Sequence, residues 1–174
     1  MPSAPVVSRF TLGQGEAGVW DTARVMAQII RESATTWTVR QYALQMITGP
    51  QDAGSWRRDL TAIKALLAGS TLFVRDPENT ELLQHPVWVL DQVSSGERVG
   101  LDCDDLTMLS LSLAKSVGYP VRLKLAALPE YGRQLSHVYG EIWAGGQWIA
   151  LDGTRPLMPL GWEPASTRVA YFNI

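Results

Sequence analysis

The hydrophobic period of this chain changes once, at Gly118–Pro120, and that change limits the fold more than any other feature. On its N-terminal side Leu106, Leu109, Leu113 and Val117 recur at helical spacing. They predict a helix from about Cys103 to Val117, with Gly118 as a C-cap glycine and Pro120 preventing a restart. On its C-terminal side the period is two. Val121, Leu123 and Leu125 alternate with Arg122 and Lys124, the runs His137–Ala144 and Gln147–Asp152 flank Gly145-Gly146, and Val169–Ile174 reads as a last strand. The glycine pair supplies the positive φ angles of a two-residue hairpin turn. Helices first and strands afterwards predict an α+β domain, its helices packed on a mainly antiparallel sheet.

Further upstream the pattern stays helical. Asp21 is placed to cap a helix bearing Val25, Met26, Ile29 and Ile30 on one face, and Val39, Ala43, Leu44, Met46 and Ile47 continue the pattern, as two helices or as one with a break near Thr35–Trp37. A third helix is expected from about Ser55 to Ala68, closed by Gly69. Leu72–Arg75 reads as a short extended piece, Pro77 as a turn, Pro86 as the first turn of another short helix, and Ser94–Arg98 as a loop. His85, just before that proline, reads as a surface residue without a role.

Residues 1–20 are expected to form an N-terminal arm, and 21–174 a single domain with a helical part, 21–118, and a sheet part, 119–174. Gly13–Gly18 formally matches the dinucleotide-binding pattern G-x-G-x-x-G, but no strand is predicted before it and the region after it stays helical. A turn-forming arm is the better reading.

Composition removes several classes of function. At 174 residues, 46% hydrophobic and 18% charged, the chain suits one ordinary globular core. A net charge of −2 without a basic cluster argues against nucleic acid and polybasic membrane anchoring. A single cysteine forms no internal disulfide, and the N-terminal residues lack the pattern of a signal peptide, so a cytoplasmic location is expected.

The one cysteine opens the predicted helix, where unpaired N–H groups and the dipole concentrate about half a positive charge. That favours a thiolate and offers donors to an oxyanion, the Asp104 amide among them. Asp102, Asp104 and Asp105 oppose it by like-charge repulsion, so a cationic partner is needed, and histidine is the usual one. The two-residue turn supplies a candidate. It sets Trp143 against Trp148, Tyr139 against Asp152 and His137 against Thr154, so His137 and Asp152 share a face as diagonal neighbours about 7 Å apart. Cys103, His137 and Asp152 then read as nucleophile, base and orienting acid. Glu141 lies on the same face and reads as a solvated charge. Thiolate, imidazole and carboxylate also suit zinc, but no paired motif supplies a fourth ligand, so no metal or other cofactor is expected.

Three stretches resemble the transglutaminase-like cysteine protease superfamily, with its papain-like core. They are Asp102–Lys124, similar to its cysteine block; Ser136–Thr154, similar to its His and Asp blocks; and Arg75–Pro86, similar to the lead-in of members encoded by phages and prophages. The resemblance implies a cysteine on a helix with His and Asp on adjacent strands, and puts those roles on Cys103, His137 and Asp152. For the oxyanion-hole side chain it leaves Gln92, Trp88 and Gln84 open. It implies acyl transfer on a polypeptide or other amide, with water or an amine as acceptor; of the two, hydrolysis is the expectation here. The other function class is a phage structural or assembly protein, located with the virion, whose aromatic-lined groove only binds polypeptide; seven tryptophans suit such a surface.

Overall fold

The computed structural model describes residues 7–8, 15–47, 54–77 and 81–174. Its elements run β1 (Val7–Ser8), α1 (Gly15–Ser33), α2 (Trp37–Met46), α3 (Ser55–Ser70), β2 (Thr71–Phe73), β3 (Leu83–Gln84), α4 (Pro86–Ser94), β4 (Val99–Leu101), α5 (Cys103–Ser116), β5 (Val121–Ala127), β6 (His137–Ala144), β7 (Gln147–Leu151) and β8 (Arg168–Asn173). Helices therefore precede a four-stranded antiparallel sheet of order β7-β6-β5-β8, and the expected α+β class holds.

Helix α5 is the axis of the molecule. Its apolar stripe predicts one buried face, yet almost its whole circumference is buried, from Asp104 through Ala114. The other helices and β6 surround it. Three of its hydroxyls return to backbone carbonyls, Ser110 to Thr107, Ser116 to Leu113, and Thr107 to Val138 on β6, while that of buried Ser112 has no partner among the described residues. Gly140 lets the sheet approach, since a Cβ there would lie 2.5 Å from Leu111 Cδ2. The helix ends as its sequence predicts. Gly118 has φ +99°, its N–H donates to Lys115 O and that of Tyr119 to Ala114 O, which together form a Schellman cap.

Other boundaries move for local reasons. The first helix begins at Gly15, ahead of Asp21, whose carboxylate pairs with Arg24 on the helix surface rather than capping. The break before α2 falls where expected, with Thr36 as N-cap accepting from the Val39 amide. Gly69 does not close α3, because the Thr71 amide and hydroxyl both donate to Leu67 O and carry the helix to Ser70. His85 is half-buried, not a surface residue. Its Nδ1 accepts from the Val87 amide as the N-cap of α4, and its Nε2 meets the buried Ser33 hydroxyl at 3.3 Å. Two small pairings escape the sequence reading: β1 with β3, antiparallel, and β2 with β4, parallel. Of the Gly13–Gly18 pattern, Gly15–Gly18 are the first turn of α1, while Gly13 and Gln14 lie outside the described residues.

The hairpin register is the expected one from Ala144↔Gln147 through Trp143↔Trp148 to Gly140↔Leu151. It stops there because Asp152 Oδ1 accepts from the Thr154 amide and hydroxyl, turning the chain out of the sheet. On the face away from α5, Glu141 is buried, not solvated; it accepts from Arg122 and Lys124. The Arg122 guanidinium lies between the Trp148 and Tyr171 rings, 4.2 and 4.1 Å from their centroids. Lys124 also pairs with Glu163, which draws part of the 153–167 return across this face.

Candidate active site

Cys103 is the first residue of α5 because Asp102 caps it: Oδ1 accepts from the amides of Asp104 at 3.0 Å and Asp105 at 3.1 Å. This commits the Asp104 amide, one expected oxyanion donor, to the cap. The Cys103 amide is not taken by it. The sulfur receives the Val138 N–H of β6, and its own S–H faces Asp104 Oδ1 at 3.4 Å. The sulfur is thereby tied to the strand that carries His137.

On that strand His137 Nε2 lies 2.8 Å from Asp152 Oδ2, with the two side chains 10% and 2% exposed. The diagonal pairing read from the Gly145-Gly146 turn thus closes to a hydrogen bond. The Tyr139 ring packs beside the imidazole at 5.7 Å, and its hydroxyl donates to Glu163. Burial acts to raise Asp152, but the His137 hydrogen bond and charge, with the two Thr154 donors, outweigh it and hold the carboxyl below its usual range.

Cys103 and His137 both border a cavity of about 320 Å³. Its apolar wall includes Val19, Ala23 and Met26 of α1 with Leu125 and Leu135; its acidic wall is Glu81, Asp102 and Asp104. Gln92 and Trp88 are not among the described residues lining it. Gln84 is engaged elsewhere, donating through its side chain to Gly100 O and Asp105 Oδ2.

The electrostatics oppose a resting thiolate. Burial, then the charges of Asp104 and Asp102, push the Cys103 thiol well up, against the Val138 N–H. The acids are themselves shifted toward protonation. Burial first, then the Glu81 hydrogen bond and the Asp102 charge, raise Asp104 well above the usual range, and burial lifts Asp102 to about 6. Sequence reasoning anticipated the repulsion from Asp102 and Asp104. It missed Glu81 and Val138, which reach the site only through tertiary packing, and it missed the Thr154 donors, for which the D-x-T spacing of Asp152–Thr154 was the available signal.

Residues 40–153 match the Transglutaminase-like superfamily, and the chain belongs to that superfamily. Among solved structures it is similar to a candidate cysteine protease from Cytophaga hutchinsonii, at 16% identity and TM-score 0.46, over 83% of this chain and 51% of that one. It is also similar to Rad4-Rad23 bound to a 6-4 photoproduct UV lesion, at 13% identity and TM-score 0.49, over 82% of this chain and 39% of that one. The chain thus spans about half of the first and two fifths of the second. No curated protein sequence matches it. Among the described residues no helix is long and apolar enough to cross a membrane.

Proposed function

We propose that the chain is a cysteine-dependent acyl-transfer enzyme that opens amide bonds through Cys103, His137 and Asp152. One observation carries this reading: Asp152 occupies Nε2 of His137, leaving Nδ1 as the nitrogen for the cavity that Cys103 shares. Because Asp152 stays ionised, it fixes the Nε2–H tautomer and stabilises an imidazolium.

With the thiol neutral at rest, His137 acts as a general base rather than as half of a preformed ion pair. Nδ1 takes the S–H proton as sulfur attacks the carbonyl. The Cys103 amide at the head of α5 then faces the developing oxyanion. Collapse breaks the C–N bond, the imidazolium returns its proton to the leaving amine, and a thioester remains on Cys103. An acceptor, water or an amine, gives its proton to Nδ1 and takes the acyl group, restoring the thiol. With water as acceptor the protein is an amidase or peptidase, with an amine a transglutaminase.

The half-buried thiol, its pKa pushed well up, also suits the second reading, a phage-associated assembly protein whose groove binds polypeptide without chemistry. Intact-protein mass spectrometry with a peptide acyl donor, with and without a labelled primary amine, separates the readings. Transient acylation at Cys103 with hydrolysed product supports the proposal; label in the product indicates an amine acceptor. Peptide binding with no adduct would favour the assembly role.

A further inference from the structure

A second cleft, about 490 Å³, lies between α3 and the β7 edge, bounded by Trp56, Arg57, Thr61, Trp148, Leu160 and Gly161. It is at the hairpin end of β6, roughly 20 Å along the strand from His137. Three features give it a chemistry.

The first is an open strand edge. Gly145-Gly146 is a two-residue turn, so Ala144 and Gln147 form a hydrogen-bonded pair, as do the alternate pairs ending at Gly140 and Leu151. The intervening Trp148 and Ala150 therefore turn their backbone N–H and C=O away from β6. Ala150 shows it: its carbonyl accepts from the Gly161 amide at 3.0 Å. The return segment covers the edge at that point. Two residues nearer the turn, the Trp148 N–H and C=O have no backbone partner among the described residues, and Trp148 lines the cleft. The β7 sequence, Gln-Trp-Ile-Ala-Leu, carries neither charge nor proline, the usual defences of an exposed edge.

The second feature is a fixed apolar wall. Trp56 packs against the turn so closely that a Cβ on Gly145 would lie 2.6 Å from its Nε1. The third is charge. The Arg57 guanidinium stacks 4.4 Å from the Trp56 ring centroid, and among the described lining residues it is the one charged group, with no carboxylate beside it.

We propose that this cleft binds an extended acidic polypeptide segment by strand addition to β7. The partner's backbone pairs with Trp148, an apolar side chain covers Trp56, and a carboxylate side chain meets Arg57. This site is independent of the Cys103 chemistry.

The test uses an acetylated heptapeptide alternating valine with glutamate, its lysine counterpart, a copy N-methylated at alternate residues, and maltotriose, all titrated into the ¹⁵N-labelled full chain. The glutamate peptide should shift the Trp148 and Ala150 amides and the Trp56 indole. N-methylation should abolish binding. Arg57→Glu, an exposed change, should weaken the glutamate peptide at least tenfold and favour the lysine peptide. No binding, binding that leaves β7 unshifted, indifference to N-methylation or to Arg57→Glu, or binding of maltotriose instead would each overturn the proposal.

Discussion

Two residues carry opposite electrostatic burdens at the site. Asp152 stays ionised through His137 and the two Thr154 donors, so Asp152→Asn should leave the fold intact and lower kcat by about 10²-fold or more, since an amide cannot stabilise imidazolium comparably. Steady-state kinetics alongside circular dichroism checks this. Cys103 is held as a thiol, so iodoacetamide alkylation should rise only above the ordinary thiol range, not persist below pH 7 as a histidine-paired thiolate would. Asp104→Asn, which removes an ionisable carboxyl that opposes the thiolate and keeps an amide oxygen in its place, should move the profile down. Full alkylation at pH 6 in the wild type would contradict this. At this scale the sequence was informative where chemistry is local: Cys103 at a capped helix start, and Asp152 diagonal to His137, follow from spacing alone. It was misleading where burial decides, as at His85 and Glu141, whose partners lie 17 to 52 residues away or on another strand.

Among the elements, α5 and the β6–β7 hairpin position the site, and their contact depends on one missing Cβ. Gly140→Ala should destabilise the protein by about 1–3 kcal/mol, because Leu111 is fully buried and has little room to yield. Pairing it with Leu111→Val should recover part of that loss in urea denaturation; additive losses would show that the two do not touch. The hairpin register was readable because a two-residue glycine turn fixes it, and the α5 end because a Schellman cap has a sequence signature. The short strands β1, β3 and β4 were not, since two or three residues carry no period and their pairing is settled by distant partners. The all-round burial of α5 was hidden by its serines and threonine, which look solvated until the hydroxyls of Thr107, Ser110 and Ser116 are traced to carbonyls.

For the whole molecule, the acidic cluster beside Cys103 should shape the pH dependence of stability. Asp102 and Asp104 have folded pKa values above their unfolded ones, so their contribution is full below about 3.8 and is lost as pH rises through about 6 for Asp102 and higher for Asp104. His85, lowered mainly by burial, works the other way below 6.5. Glu81→Gln isolates the carboxyls, because it keeps a hydrogen-bonding partner for Asp104 without a second charge. The urea midpoint should therefore fall less between pH 4.5 and 7.5 in that variant than in the wild type; an equal fall would place the effect elsewhere. The central claim is that Cys103 and His137 act together across their shared cavity. Rapid-quench intact mass spectrometry with p-nitrophenyl acetate reads it most directly. The account predicts one acetyl group on Cys103 in the wild type, none there in Cys103→Ala, and acylation slowed about 10²-fold or more in His137→Ala at neutral pH. Acylation of Cys103 at an unchanged rate without His137 would contradict it.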